Sequence, residues 1–326
     1  MPIVLSTVLW LLWKMSYYGD ILPNTFYAKV ASVASVRRGT AFLLCFLWVY
    51  WLVPFVPAGV WGVAHAFRRR DSGALVLMAA LLAWLTYVVR IGGDFMEFRL
   101  LVPIMPVAFV LLLWVTLELT RRKVVRTALI VLVITGGVSH ALHSRQPSYA
   151  ALNGLNIETI GQLEGRVVNP NEDWAGIGAV LGEAFGHNAD VLIAVRPAGA
   201  MPYYSGLGCI DMHGINDKWV ARHGYFAGTM PGHQRAAPFS YLVRRKVNLV
   251  VGHPAIMPIA ISFTAFPAGF RYDFFYNLRS AAELPRGSCA IAIPVNDEYK
   301  AIVLYIRRSA TVDAAIREQG WEIVEM

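Results

Sequence analysis

The sequence predicts an α-helical transmembrane bundle of about five spans, followed by an exported α/β domain with a mixed sheet. Three observations support this fold class. Of the 326 residues, 56% are hydrophobic and only 15% are charged, and the mean hydropathy is +0.49, which is typical of a membrane protein. Nearly all the long apolar runs lie in the first 143 residues. The remainder has the mixed polarity and the Gly and Pro punctuation of a soluble domain.

This change in composition divides the chain into a transmembrane region, residues 1–145, and an extracytoplasmic domain, residues 146–326. A crossing needs about 20 apolar residues, with a range of roughly 17 to 25. The first of the five apolar segments is short for a crossing. The second is long, and Pro54 and Pro57 are expected to kink it. The segments are Pro2–Met15, Ala41–Phe67, Gly73–Val89, Leu100–Leu119 and Thr127–Leu142.

Basic residues between these segments predict the orientation. Seven of them lie on one side, in two tight clusters: Arg68, Arg69, Arg70, Arg121, Arg122, Lys123 and Arg126. The other side carries five: Lys29, Arg37, Arg38, Arg90 and Arg99. The positive-inside rule assigns the first set to the cytoplasm, so everything after Arg145 lies outside it. The inverted topology is the alternative. The net charge of +8 is concentrated in these loops, and no basic helix with interleaved aromatic residues predicts a nucleic-acid partner.

The second region alternates short strands and short helices, which predicts an α/β sandwich with a mixed sheet. Helices are expected at residues 173–182, with Asp173 as the N-cap, and at residues 217–223. The expected strands are residues 190–195, 208–212, 247–251, 289–294 and 300–306.

The cysteines say little about the redox compartment of the protein. Cys209 and Cys289 lie in the exported domain, where an oxidising compartment permits one disulfide. Two separate buried thiols are the favoured interpretation. No CxxC or HExxH pattern occurs, and the histidines lack the spacing of metal ligands, so no metal site is predicted.

A polar loop, residues 17–29, follows the first apolar segment. Ionisable groups next to a bilayer are costly and are usually retained for a function. Gly19 and Pro23 predict a turn there. The loop carries a carboxylate, an amide, a phenol and an ammonium group, from Asp20, Asn24, Tyr27 and Lys29. The ammonium group suits a phosphate, and Asn24 and Tyr27 suit sugar hydroxyls. The alternative is an interfacial aromatic belt with a snorkelling lysine.

A second polar motif, Gly92–Arg99, follows the third apolar segment. Its two glycines end the helix and let the backbone approach a ligand. Asp94 and Arg99 are close enough in sequence to pair, and Arg99 is alternatively free to bind a phosphate. The other interpretation is a structural salt bridge that caps the next helix.

Four ordered motifs together resemble one family. They are the loop of residues 17–29, the segment from Gly92 to Pro103, the segment from Pro202 to Asp217, and the segment from Gly232 to Asn248. The chain resembles the GT-C membrane glycosyltransferases related to the mycobacterial terminal β-(1→2) arabinofuranosyltransferase, over nearly its whole length. The resemblance implies transfer of a sugar, arabinofuranose favoured, from a polyprenyl-phosphate donor to a cell-envelope glycan. It also implies a multi-pass protein of the bacterial plasma membrane.

Further residues of the exported domain are candidates for sugar binding. Asp211, Asn216 and Asp217 are the expected contacts to the acceptor sugar, with Tyr203 and Tyr204 as stacking platforms. The equally favoured alternative is a turn whose Asx side chains cap the helix that begins after Asp217.

One departure from the family matters. GT-C enzymes usually carry an essential acidic residue in the first external loop of the N-terminal half, and this chain starts beyond that half. We therefore expect the C-terminal portion of a longer or split enzyme, with the missing half as a partner. Asp20 and Asp94 are expected in supporting catalytic roles. Lys29 and Arg99 are expected on the donor phosphate, where side-chain cations or a divalent cation assist the leaving group.

Two other function classes fit the same sequence. One is a non-catalytic, membrane-anchored subunit that binds glycan or acts as a scaffold for a partner. The other is a fragment of a transporter. An external acidic pair encoded immediately upstream would favour the enzyme over both.

Overall fold

The computed structural model describes residues 2–29, 33–143, 155, 157–169, 172–186, 190–228, 230–261 and 270–325. These residues form two compact units. The helical unit comprises residues 31–168 and 229–231, and the α/β unit comprises residues 1–30, 169–228 and 232–326. The helical unit extends to residue 168, and the first 30 residues group with the α/β unit, whereas the sequence placed a single boundary between residues 145 and 146.

Helices make up the described part of the chain as far as residue 168. In chain order they are α1 (Pro2–Tyr18), α2 (Asn24–Ala28), α3 (Val33–Val49), α4 (Phe55–Arg69), α5 (Ser72–Ile91), α6 (Met105–Leu119), α7 (Lys123–His143) and α8 (Ile160–Val168). A 3₁₀ turn, Arg99–Ile104, leads into α6.

Strands and short helices alternate in the rest of the chain. The helices are α9 (Trp174–Phe185), α10 (Ala200–Ser205), α11 (Lys218–His223), α12 (Phe239–Arg244), α13 (Tyr272–Tyr276) and α14 (Ala310–Gln319). The strands are β1 (Leu192–Val195), β2 (Gly208–Asp211), β3 (Tyr225–Phe226), β4 (Arg235–Ala236), β5 (Leu249–Pro258), β6 (Cys289–Pro294), β7 (Tyr299–Tyr305) and β8 (Glu322–Glu325).

Three helices of the described chain are long and apolar enough to cross a membrane. They span Ser72–Ile91, Arg99–Leu119 and Lys123–Leu142. These are the last three of the five predicted segments. Helix α1 has 17 residues and α4 has 15, so both are shorter than these candidate spans.

The prediction of one kinked helix across Ala41–Phe67 is wrong. Residues 50–54 form a turn that separates α3 from α4. Pro54 lacks an N–H and disfavours a helical conformation at the preceding residue, and Trp51 has a left-handed φ of 56°. Pro57 lies in the first turn of α4, where no intrahelical donor is required. The two prolines thus both lie at the start of α4: Pro54 is its N-cap residue and Pro57 lies in its first turn.

Small residues allow close helix packing in the helical unit. A Cβ atom added at Gly39 of α3 would lie 2.1 Å from the carbonyl oxygen of Val89 in α5. The two backbones therefore pack without an intervening side chain. Aromatic side chains fill the core beside this contact, and Phe42 and Phe46 pack against Phe98.

The sheet of the α/β unit is mixed, which confirms the prediction. Its strand order is β2-β1-β5-β7-β6-β8. Strands β2, β1 and β5 are parallel, and the remaining pairs are antiparallel. Residues of β1 alternate between two apolar cores, with Ile193 and Val195 in one and Ala194 in the other. Each predicted strand overlaps an observed one, and Asp173 caps α9 through the N–H of Gly176 at 2.7 Å.

The sheet order also separates the two thiols of this unit. Cys209 lies on β2 and Cys289 on β6, with β1, β5 and β7 between them. Neighbouring strands are about 4.8 Å apart, so the two sulfur atoms are much too distant for a disulfide. Both cysteines are free thiols.

Candidate functional site

The polar loop after α1 is attached to the α/β unit by one carboxylate. Asp20 Oδ2 lies 2.7 Å from Lys218 Nζ, and Oδ1 lies 2.7 Å from a terminal nitrogen of Arg222. The hydrogen bond from Lys218 lowers the pKa of Asp20, and the charge of Arg222 acts in the same direction. Arg222 also lies 3.9 Å from the ring centroid of Tyr27, a cation–π contact. Asp20 and Tyr27 therefore both hold α11.

The other two predicted loop residues lie at the ends of α2. Gly19 has a left-handed φ of 66°, and the extended Pro23 precedes the helix, so the predicted turn is confirmed. Asn24 is the first residue of α2. The backbone N–H of Lys29 closes the helix on the carbonyl of Thr25 at 3.2 Å. Both side chains are half-buried.

An open cleft of about 590 Å³ lies beside α11, and we call it the Trp219 cleft. It brings together three predicted sugar-binding residues, Asp211, Asn216 and Asp217. It also contains the two cations that hold Asp20. The lining residues are Cys209, Ile210, Asp211, Asn216, Asp217, Lys218, Trp219, Arg222, His223, Tyr241 and Arg245.

Asp217 is both a helix cap and a member of a polar network. Its Oδ1 accepts the N–H of Val220 at 2.9 Å, which caps α11. The hydroxyl of Tyr241 donates to Oδ2 at 3.0 Å. Arg245 donates to that hydroxyl at 2.7 Å and lies 3.6 Å from Oδ2. Burial and, after it, the neighbouring carboxylate of Asp217 raise the pKa of Tyr241, so the phenol remains a donor at neutral pH.

Asp211 organises the turn after β2. Its side chain is buried, with 2% exposure, and it accepts the N–H groups of His213 at 2.8 Å and Asn216 at 2.7 Å. Burial raises the pKa of Asp211, while these backbone donors oppose that effect. The Asx turn proposed as an alternative is therefore present. Asn216 itself is exposed at the cleft.

The aromatic wall of the cleft was missed by sequence reasoning. The Trp219 and Tyr241 rings stack with centroids 4.1 Å apart and an interplanar angle of 7°. His223 stacks on Trp219 at 5.3 Å. Trp219, which stands among the basic residues of the short helix after Asp217, was the local signal in the sequence. Tyr241 comes from a distant part of the chain, so its contact with Trp219 could not be predicted.

Tyr203 and Tyr204 are not brought to this cleft. They lie on α10, which connects the end of β1 to the start of β2, whereas Asp211 lies at the end of β2. Four residues of strand, about 3.3 Å each, separate those positions. Both rings are exposed, at 80% and 53%, and they pack edge to face with each other at 5.1 Å.

The Gly92–Arg99 motif forms a rigid loop in the helical unit. Asp94 is buried, with 2% exposure, and its Oδ2 lies 2.5 Å from Arg99 Nε. A second bond, from a terminal nitrogen of Arg99 to Oδ1, measures 3.3 Å. Arg38 donates to the carbonyls of Gly92, Asp94 and Leu155. The Arg99 side chain nevertheless keeps 54% of its surface exposed.

A carboxylate–imidazole pair in the same loop was also missed. Glu97 Oε1 lies 2.6 Å from His140 Nε2, and Oε2 accepts the N–H of Ile160 at 3.2 Å. The His140 ring stacks on Tyr50 at 4.4 Å. The sequence offered a weak signal, since Glu97 falls within the motif and His140 near the end of the last apolar run.

The donor set does not fit a resident divalent cation. Among the residues that the structure describes, no group of three or more His, Cys, Asp or Glu side chains could hold a metal ion. The carboxylates discussed here are engaged by arginine, lysine, histidine or backbone N–H groups instead.

Comparison with known proteins locates one family match. The family model described as a domain of unknown function (DUF8728) matches residues 168–293, which run from the end of α8 to β6. No curated protein and no solved structure matches the chain. The fold thus defines a chain with three candidate membrane-spanning helices and a mixed-sheet α/β unit.

Proposed function

We propose that the chain acts in the transfer of a sugar, arabinofuranose favoured, from a polyprenyl-phosphate donor to a cell-envelope glycan. It would do so as the C-terminal portion of a longer or split GT-C-type glycosyltransferase. The observation that carries the proposal is the Trp219 cleft. Its carboxylates, amide and cations suit sugar hydroxyls, and its aromatic wall suits the apolar faces of sugar rings.

The proposed orientation follows from the basic residues at the ends of the candidate spans. Arg68–Arg70 and Arg121–Arg126 would lie in the cytoplasm. The Gly92–Arg99 loop and the part of the α/β unit that begins at residue 169 would lie outside the bacterial plasma membrane. The proposal keeps about five membrane segments. They are α1, the α3–α4 pair counted as one segment, and the three long helices.

Donor binding is assigned to cations that already have fixed positions. Arg99 is held by Asp94 through two nitrogens, and its third nitrogen donates to the sulfur of Met96 at 2.7 Å. The side chain remains half exposed, so a lipid phosphate could displace the weak sulfur acceptor and contact the guanidinium group. Lys29, at the end of α2, is the second proposed phosphate contact. Cations at these positions would stabilise the charge that develops on the departing lipid phosphate.

The acceptor base is assigned to the proposed partner half of the enzyme and not to this chain. Asp20 and Asp94 are both paired with cations, so each is a positioning residue rather than a free base. The acceptor hydroxyl would lose its proton to the partner's acidic residue as its oxygen attacks the anomeric carbon, and the lipid phosphate would leave with the bonding pair.

A second candidate function is a non-catalytic glycan-binding subunit. The pairing of both candidate carboxylates favours it. Such a subunit would present the acceptor in the Trp219 cleft to a separate enzyme.

The experiment compares Asn216→Ala with Gln319→Ala, a matched loss of an exposed amide outside the cleft. Membranes containing the full chain and its partner half receive a synthetic farnesyl-phosphoryl arabinofuranose donor and an oligoarabinofuranoside acceptor. We expect Asn216→Ala to raise the acceptor KM about fivefold, the loss of roughly one hydrogen bond, and Gln319→Ala to leave it unchanged. Acceptor binding without any transfer would favour the scaffold, and absence of both would refute the proposal.

A further inference from the structure

A second group of basic and aromatic residues lies where the pairing of the three parallel strands ends. In the strand order β2-β1-β5, the next strand in sequence, β2, pairs with one edge of β1, and the later strand β5 pairs with its other edge. The strand order changes direction at β1. In open α/β sheets, ligands bind beside the carboxyl ends of the strands at such a point. Arg196 directly follows β1, and His213 lies two residues beyond β2. His253 follows Gly252, the last residue of β5 that pairs with β1.

The guanidinium group of Arg196 is held in place by neutral acceptors. Its Nε donates to His213 Nε2 at 3.3 Å, and one terminal nitrogen donates to the carbonyl of Phe274. His213 Nδ1 lies 3.0 Å from the carbonyl of Arg235. That ring nitrogen therefore carries the proton, and Nε2 is the acceptor. Burial and the charge of Arg196 lower the pKa of His213 to about 3, so the imidazole is neutral at physiological pH.

No carboxylate of the described residues lies within ion-pair distance of Arg196. Burial lowers the pKa of Arg196, and the charge of Asp273 opposes this only in part. Asp273 forms its own ion pair with Arg271 at 3.1 Å. Asp211 directs its oxygens at the N–H groups of His213 and Asn216. In the described chain, no hydrogen bond engages the second terminal nitrogen of Arg196. A half-buried arginine in this state lacks the anion that would offset its desolvation.

Further donors and apolar surfaces surround the same guanidinium. The His233 ring lies 4.6 Å from the His213 ring. His253 contacts Trp174 at 5.8 Å and Phe274 at 5.0 Å, measured between ring centroids. Arg196 itself lies 5.5 Å from the centroid of Phe274. One fixed cation, two imidazoles and two aromatic rings thus converge at the strand ends.

We propose that this group, the Arg196 site, binds the phosphate of a glycosyl phosphate. Arg196 pairs with two phosphate oxygens, His233 and His253 donate to the others, and Trp174 and Phe274 contact the sugar or its carrier. Phosphate is favoured over carboxylate because donors come from several strand ends, and phosphate offers more oxygen atoms to meet them. This site is separate from the lining of the Trp219 cleft. The phosphate follows from the site itself, and the choice of a glycosyl ester rests on the proposed function.

The test is equilibrium dialysis of radiolabelled glucose 1-phosphate against the full chain in a non-ionic detergent. We expect saturable binding to the wild type, and a loss of affinity of at least about tenfold in Arg196→Gln, as for a charged hydrogen-bonded pair. Arg317→Gln removes an exposed arginine of α14 and the same charge, and should bind as the wild type does. Arg196→Lys keeps the charge but loses the planar guanidinium group. Its affinity for glucose 1-phosphate should lie between those of the wild type and Arg196→Gln.

Competition measurements in the same dialysis experiment identify the class of ligand. Inorganic phosphate should compete weakly and glucuronate should not compete. Competition by farnesyl phosphate as strong as that by glucose 1-phosphate indicates a lipid-linked source, and weaker competition indicates a soluble one. The proposal fails if Arg196→Gln binds glucose 1-phosphate as tightly as the wild type, if glucuronate is the better ligand, or if the folded wild type binds neither phosphate ester saturably.

Discussion

Asp20 and Arg222 are 202 positions apart in the sequence, and their side chains form an ion pair at 2.7 Å. This pair, together with Lys218, joins the polar loop after α1 to the helix that borders the Trp219 cleft. The loop and the cleft are consequently parts of one structure. A ligand phosphate that approached Lys218 or Arg222 would have to compete with Asp20.

The Asp20 contact should be sensitive to pH. Because the folded-state pKa of Asp20 lies below its ordinary value of 3.8, its contribution to stability is present above that value and is lost as pH falls through the folded pKa. We expect Asp20→Asn to melt at a lower temperature than the wild type at about pH 7. The difference should shrink as the pH falls below 3.8 and disappear once the pH is below the lowered folded-state pKa. Thermal melting of the full chain in detergent measures it, and a pH-independent difference would contradict the ion-pair explanation.

Arg38 should be important for stability whereas its neighbour Arg37 should not. Arg38 donates to three backbone carbonyls, those of Gly92, Asp94 and Leu155, and Arg37 is exposed. Each hydrogen bond to a charged group contributes about 1.5–3 kcal/mol, so Arg38→Ala should lower the free energy of unfolding by at least that much. Arg37→Ala removes the same side chain as a control. Equal unfolding curves of the two variants in an SDS titration would show that the network is unimportant.

Gly39 should resist substitution by alanine more than Gly59 does. A Cβ at Gly39 would meet the Val89 carbonyl at 2.1 Å, and at Gly59 it would meet nothing within 4 Å. Overpacking of this kind costs about 1–3 kcal/mol. Gly59→Ala should instead be neutral or stabilising, since alanine has the higher helix propensity. Reversible unfolding of both variants in mixed micelles checks the prediction, which fails if they are equally stable.

Arg99 should matter for transfer more than for folding. Arg99→Lys keeps a charge beside buried Asp94 but loses the planar fork, so the protein should still fold. If Arg99 contacts the donor phosphate, the transfer rate should fall by about tenfold or more. Arg90→Lys makes the same exchange at an exposed position and should retain full activity. Wild-type turnover of Arg99→Lys would remove Arg99 from donor binding.

Local sequence signals predicted the α/β unit well. Asp173 and Asp217 were recognisable caps because a carboxylate before a helix satisfies its first N–H groups, and both caps are present. Buried strands such as β1 and β7 were predicted because continuous apolar runs bounded by polar residues are typical of them. Backbone preferences of this kind are encoded within a few residues, so they can be read without knowledge of the tertiary fold.

Contacts between distant segments were not predictable in the same way. The Trp219–Tyr241 stack, the Glu97–His140 pair and the Asp20–Arg222 pair each join residues that only the folded chain brings together. The break between α3 and α4 was missed for another reason. Hydrophobicity is as high in the turn as in the flanking helices, so an apolar run does not reveal where a helix ends.

The separation of Cys209 and Cys289 across the sheet has a practical consequence. Burial raises the pKa of the Cys209 thiol to about 12 and also raises that of Cys289, so little reactive thiolate forms at neutral pH. Maleimide reagents should therefore react very little with Cys209 and Cys289. Cys209 and Cys289 therefore need no replacement before the orientation is mapped with single engineered cysteines, and Cys45, which is also a free and buried thiol, is the native position to check first.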